Sequence, residues 1–150
     1  MRALLQRVTR ASVRVDDNEI AAIDRGLVVL LGIGRGDDAA TAAGLARRVC
    51  ELRIFEDEDG RTNRSLLDVA GECLLVSQFT LYADTSRGRR PGFTNAAPPE
   101  LAKELWLRVA DEIRANGVEV QLGEFGADMA VQLVNDGPFT IWLDTADRGG

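Results

Sequence analysis

The order of apolar and polar positions divides this chain into many short segments, and only two of them have a helical period. Residues 2–15 alternate imperfectly, with Leu5, Val8, Val13 and Val15 set against Arg7, Arg10 and Arg14. That pattern predicts a long strand, bent or bulged where the alternation slips. Asp16, Asp17 and Asn18 are turn residues, and residues 19–24 form a short return strand. Arg25-Gly26 turns again. The run at 27–34 is apolar throughout and of strand length, which predicts a central strand covered on both faces. Asp37 or Asp38 can cap a helix over residues 39–51, with Ala42, Leu45, Ala46 and Val49 as its apolar stripe. Pro98 and Pro99 suit a second helix start, and Glu100 favours its positive dipole end. Leu101, Leu105, Val109 and Ile113 follow at i, i+4 spacing, widened by Trp106 and Ala110, until Gly117 stops the helix.

The remaining apolar segments are short. Residues 52–55 read as a strand, residues 72–83 as a second buried strand with polar residues in its middle, and residues 118–122 as another. Residues 130–134 and 139–143 read as two further strands separated by the turn chemistry of Asn135-Asp136-Gly137-Pro138. About seven strands and two helices without strict alternation predict an α+β fold: mostly antiparallel or mixed sheets with two main helices packed on one side. The 150 residues are enough for one core and too few for two, so residues 1–150 are read as a single domain.

Composition narrows the chemistry. No apolar stretch reaches the ~18–20 residues of a membrane span. The arginine-studded N-terminal segment lacks the apolar block of a signal peptide, so the expected location is cytoplasmic. Cys50 and Cys73 sit in apolar runs and read as buried thiols. The chain contains no histidine, which removes Ser–His–Asp triads, Cys–His pairs, histidine metal sites and the usual base near neutral pH. The acidic residues 56–60 lack calcium-loop spacing and read as a solvated loop, so no metal is expected. Gly32, Gly34 and Gly36 are evenly spaced, unlike a dinucleotide fingerprint, and read as a strand exit. The net charge of −6 argues mildly against a nonspecific nucleic-acid coat but leaves room for a local basic patch.

Three segments invite a chemical reading. Ser77, Gln78 and Thr80 interrupt an apolar strand; such groups need partners, either each other or a ligand. Gly137-Pro138 either forms an ordinary tight turn or presents bare backbone to a ligand. Arg87, Arg89 and Arg90 lie in a Gly- and Pro-containing loop that is either a solvated turn or a phosphate contact.

Taken together, Ser77-Gln78-Phe79-Thr80-Leu81 and Asn135-Asp136-Gly137-Pro138-Phe139-Thr140 resemble the two signature motifs of the D-aminoacyl-tRNA deacylases, formerly called D-tyrosyl-tRNA deacylases. Met1-Arg2-Ala3 and Gln6-Arg7-Val8 resemble that family's first strand, Arg90-Pro91 with Phe93 its basic loop, and Gly126-Ala127-Asp128-Met129 the approach to its second motif. At Gly92 the chain departs from the family pattern, which often has Ser there; both core motifs are intact.

The resemblance implies an enzyme that hydrolyses the ester between a D-amino acid and the tRNA 3′ end, with glycyl-tRNA as a second substrate and no cofactor. It implies a homodimer in which a cis Gly137-Pro138 peptide enters the partner's site and excludes L side chains. Backbone N–H groups of Phe79 and Thr80 would form the oxyanion hole, with Ser77 and Gln78 shaping the site and Thr80 orienting water or ester, a covalent Thr80 intermediate being the alternative. The tRNA ribose 2′-OH would help to activate water. Phe125 and Met129 would cradle adenine, and Asn135 and Thr140 would support Gly137-Pro138. Two other readings stand beside this one: a noncatalytic dimeric binding module, and a carboxylate hydrolase using Asp128 or Asp136.

Overall fold

The computed structural model describes residues 1–147. Its scaffold is one long strand, β1 (Arg2–Val15), with partners along both edges. β2 (Asn18–Ile23) returns along the outer half of β1 through a two-residue loop, Asp16-Asp17. Both loop residues have positive φ, 49° and 64°, the mirror-image turn that matches the twist of paired strands. β3 (Gly26–Gly32) pairs antiparallel with the inner half of β1. β6 (Glu72–Ser77) and β7 (Glu119–Leu122) extend the sheet in parallel, giving the order β2-β1-β3-β6-β7. β8 (Ala130–Asp144) runs antiparallel along nearly all of β1. A small separate hairpin joins β4 (Phe55–Glu56) and β5 (Thr62–Arg64).

Both faces of the sheet are buried. Helices α1 (Ala39–Glu51) and α2 (Pro99–Ala115) cover one face, packing Leu45, Val49, Trp106, Val109 and Ile113 against Leu5, Val29, Leu31 and Leu75. On the other face, Val8, Val13, Ala21 and Ile23 from β1 and β2 close over Val28, Leu74 and Val76. A sheet folded over itself in this way explains why β3 and β6 are apolar at almost every position. Asp38 caps α1 through a bond from the Thr41 N–H at 2.8 Å. α2 closes with N–H bonds from Gly117 to the Arg114 carbonyl and from Val118 to the Ile113 carbonyl.

The architecture agrees with the α+β expectation, but four local readings change. The apolar run at 27–34 leaves the sheet at Gly32. Residues 52–55 contribute only Phe55 to a strand, because Leu52 still caps α1, its N–H donating to the Arg48 carbonyl. The segment at 72–83 is a strand only to Ser77; Phe79–Tyr82 is a 3₁₀ turn, and Ser77, Gln78 and Thr80 lie at the strand's open end rather than buried in its middle. Residues 130–134 and 139–143 are two halves of one strand, since Asn135–Phe139 bulges outward without reversing the chain.

Cys50 and Cys73 are both fully buried on the helix side of the sheet. Burial, with the charge of Glu51 added, pushes the Cys50 thiol up to about 11, and burial pushes Cys73 up as well. A raised thiol pKa leaves almost no reactive thiolate at mild pH. Ellman's reagent at pH 8 is therefore expected to titrate neither thiol in the native protein and both after denaturation. Fast reaction of either cysteine in the native state would contradict this packing.

Candidate active site

The sheet's open end is where the polar residues gather. The last ladder contact of β6 is the Gln78 N–H donating to the Leu31 carbonyl at 2.8 Å. The chain then tightens into the 3₁₀ turn, closed by bonds from Leu81 N–H to the Gln78 carbonyl and from Ala83 N–H to the Thr80 carbonyl. The turn sits directly on the end of β3. A Cβ at Gly32 would lie 2.9 Å from the Gln78 oxygen, and one at Gly34 would lie 2.6 Å from the Tyr82 hydroxyl. From behind, Arg2 donates to the Leu81 carbonyl and to Asp144, each at 3.0 Å, and its guanidinium lies 4.5 Å from the Tyr82 ring centre. Burial, with the charges of Asp37 and Asp144 added, pushes the Tyr82 hydroxyl up to about 12, so it stays protonated.

The leading N–H groups of any helical turn have no partner within it. Here they belong to Phe79 and Thr80, and Gln78 at the cap position makes no side-chain bond back to them. The Gln78 amide instead donates to the Thr80 hydroxyl. Phe79 is 57% exposed, its ring edge-on to Phe93 with centres 4.9 Å apart.

Beside the turn opens a cavity of about 830 Å³, of a size that accepts a small organic ligand. Ser77, Gln78 and Phe79 form one side of its lining, and Phe125, Asp128 and Met129 contribute to the rest. Trp106 lies at its helix-side wall, its ring centre 5.8 Å from that of Phe125, and its indole N–H is buried without a hydrogen-bond partner among the described residues. The cavity lining is predominantly apolar, which suits a flat aromatic group. Thr80, Asn135, Gly137, Pro138 and Thr140 do not line it.

The second motif is built around Arg7. On β1, Gln6 pairs with Thr140 and Val8 with Asn135, so Arg7 alone faces the looped-out residues 136–139. Arg7 points to the same side of β1 as Ala3 and Leu5 and is only 6% exposed. Its guanidinium donates to the Ile54 carbonyl at 2.7 Å and to the Asp136 carbonyl at 3.1 Å, with the Asp136 carboxylate at 3.5 Å. The Phe139 ring centre lies 4.7 Å from the guanidinium carbon. Asn135 spans the bulge, accepting from the Phe139 N–H at 3.0 Å and donating to the Thr140 hydroxyl at 2.9 Å. The Gly137-Pro138 peptide is cis, and both residues are exposed. Gly137 has φ 132°, and a Cβ there would lie 3.2 Å from the Arg7 guanidinium and 3.1 Å from the Phe139 nitrogen.

Arg87, Arg89 and Arg90 are exposed at the tip of a loop pinched by paired bonds between Asp84 and Gly92. Gly92 therefore serves the neck of that loop through its backbone. The structure gives site roles to residues that the sequence marks only as strand or helix positions: Arg7 and Arg2 are anchors, Gly32 and Gly34 seat the turn, and Trp106 stands in the cavity wall. The available signal for Arg7 was its parity, a charged side chain at an inward position of an alternating strand.

Comparison with known proteins gives a consistent result. The family model described as D-Tyr-tRNA(Tyr) deacylase matches residues 4–144. A D-aminoacyl-tRNA deacylase from Thermomicrobium roseum is 59% identical, with 100% of this chain and 98% of that protein covered. A D-aminoacyl-tRNA deacylase from Paracoccus denitrificans is 55% identical, covering 99% of each. Among solved structures, one described as a c-Myc DNA unwinding element binding protein is 41% identical with a TM-score of 0.92, covering 96% of this chain and 98% of that one. Another, of a probable eukaryotic D-amino acid tRNA deacylase, shares the fold at a TM-score of 0.81 and 17% identity, covering 95% and 97%. Motifs, fold and near full-length identity converge: this chain belongs to the D-Tyr-tRNA(Tyr) deacylase family.

Proposed function

We propose that the protein is a cytoplasmic proofreading esterase that hydrolyses D-aminoacyl-tRNA, and glycyl-tRNA as a second substrate, to free amino acid and tRNA. The observation that carries this reading is the uncapped start of the 3₁₀ turn at Phe79 and Thr80, set against an apolar cavity in a chain without histidine. Water attacks the ester carbonyl, and the negative charge that develops on its oxygen meets the Phe79 and Thr80 N–H groups. A single donor of this kind contributes roughly 10²–10³ in rate. Phe125 and Met129 line the space assigned to adenine. Thr80 orients water or ester rather than attacking, because its neighbour is the Gln78 amide, which takes up no proton at neutral pH. The ribose 2′-OH of the substrate helps to activate the water, taking its proton while giving its own to the departing 3′ oxygen as the ester C–O bond breaks. Asp136 has its role in the bulge beside Arg7, which speaks against it as the hydrolytic carboxylate.

Selectivity is assigned to the bulge acting across a homodimer. Gly137 and Pro138 are exposed and are not among the residues that line their own chain's cavity, which favours a bulge that closes the cavity of a second copy. Val134 and Trp142, on the same strand, are exposed apolar side chains suited to such an interface. A side-chain-free backbone placed where an L side chain would project excludes that enantiomer and admits D-amino acids and glycine. Exclusion of this sort outperforms attraction, since a pocket distinguishes small apolar differences by only ~1–3 kcal/mol. A second reading, a noncatalytic nucleic-acid-binding dimer, is favoured by one observation: the 41% identical structure is described as a DNA-element-binding protein.

Parallel assays with D- and L-aminoacyl-tRNA separate the two. Hydrolysis of the D-ester is expected to exceed that of the L-ester by at least about 100-fold, equivalent to ~2.7 kcal/mol. Rates at buffer level for both esters would leave only the binding module. For Gly137→Ala, the new Cβ crowds the Arg7 guanidinium in a backbone region that L residues rarely adopt. The D-over-L ratio is expected to fall about tenfold or more, ~1.4 kcal/mol, with the circular dichroism spectrum retained; an unaltered ratio would remove the bulge from the selectivity argument. A D-aminoacyl ester on tRNA ending in 2′-deoxyadenosine is expected to turn over at least about 100-fold more slowly, and unchanged turnover would refute substrate assistance.

A further inference from the structure

We propose that Arg35 is a phosphate-binding residue, receiving the phosphodiester immediately 5′ of the terminal adenosine of the tRNA. The proposal rests on the deacylase reading and extends it to the path by which RNA leaves the site. Among the described residues that line the cavity, Arg35 is the one cation and Asp128 the one anion. A terminal nucleoside held in that cavity carries a single phosphate link to the rest of the RNA, and the wall supplies a single positive charge to meet it.

Arg35 is also held in place. Its backbone N–H donates to the Asn95 carbonyl at 3.2 Å, its Nε donates to the Thr94 carbonyl, and the adjacent Gly34 bridges to Ala96. These bonds fix the near side of the guanidinium and commit only one of its five N–H donors. The side chain is exposed, and it forms no ion pair with a carboxylate among the described residues. The two terminal nitrogens are left as a planar pair without a hydrogen-bond partner among the described residues, a fork that can take two oxygens of one phosphate. Part of the ordering entropy of a long side chain has already been lost before any ligand arrives.

Its position fits an exit. Arg35 borders both the apolar cavity and a second, more polar hollow lined by Met1, Asp37 and Asp144. Among the described residues Arg35 is the one that lines both, so a phosphate leaving the cavity on that side meets its guanidinium. The overall charge of −6 makes that turn costly unless a local cation meets it.

A matched pair of small substrates tests the assignment: the 3′-D-alanyl ester of adenosine and the same ester of adenosine 5′-monophosphate. The wild-type protein is expected to favour the phosphate-bearing ester by about tenfold or more in kcat/KM, mainly through KM, as a charge-assisted contact allows. In Arg35→Ala that preference is expected to collapse towards one, and in Arg35→Lys to be intermediate. An equal preference in the wild type and in Arg35→Ala would overturn the phosphate site while leaving the deacylase reading intact. Failure of the wild-type protein to favour the phosphate-bearing ester would overturn the phosphate site, and failure to cleave these esters and D-aminoacyl-tRNA alike would overturn both.

Discussion

A guanidinium taken out of water is tolerated only when its donors are used, and the Arg7 site shows what that requirement can build. Arg7 stands in the middle of the scaffold strand, nearly fully buried. It binds the Ile54 carbonyl on the helix side and the Asp136 carbonyl in the bulge, with Phe139 across its face. Leaving a buried donor without its partner typically costs ~1–3 kcal/mol, and more when the donor is charged. The bulge is thus held by an interaction that the fold cannot easily give up. Lysine would be a poor replacement, since the contacts diverge along a planar fork that an ammonium group cannot reproduce.

The same strand also positions the other motif. Arg2, at its start, holds the Leu81 carbonyl and so fixes the far end of the 3₁₀ turn. Arg2 and Arg7 are an odd number of positions apart, so their side chains leave β1 on opposite faces. One serves the turn, the other the bulge, and the rigid strand between them sets the separation. Glycines under the turn complete the arrangement, because the close approach of Tyr82 and Gln78 leaves no room for a Cβ at Gly34 or Gly32. Backbone contact is a stiffer support than side-chain packing, which suits amide groups that must be aimed before the substrate arrives.

Much of this was readable from pattern alone. The imperfect alternation of residues 2–15 did mark one long strand, and the i, i+4 stripe from Leu101 to Ile113 did mark a helix. What pattern could not supply was the end of β6, because Phe79, Leu81 and Tyr82 are as apolar and as β-prone as the strand before them. Only tertiary contact, through Gly32, Gly34 and Arg2, turns that run into a 3₁₀ turn. The bulge was hidden for the opposite reason. Asn-Asp-Gly-Pro is strong turn chemistry, yet both flanking segments pair with β1 in one direction, a long-range fact that local propensity does not contain. The cavity residues Phe125 and Met129 were found by motif resemblance, whereas Trp106 looked like any other core position of α2.

β8 is a fifteen-residue strand whose one strand partner among the described residues is β1, so its other edge presents backbone donors and acceptors to no other strand. Such an edge is a template for runaway addition of foreign strands, and long straight ones are the most dangerous. The looped-out residues 136–139 interrupt its pairing with β1, and Pro138 offers no N–H there. A bulge at this point interrupts the edge and so makes it a poorer template for such addition.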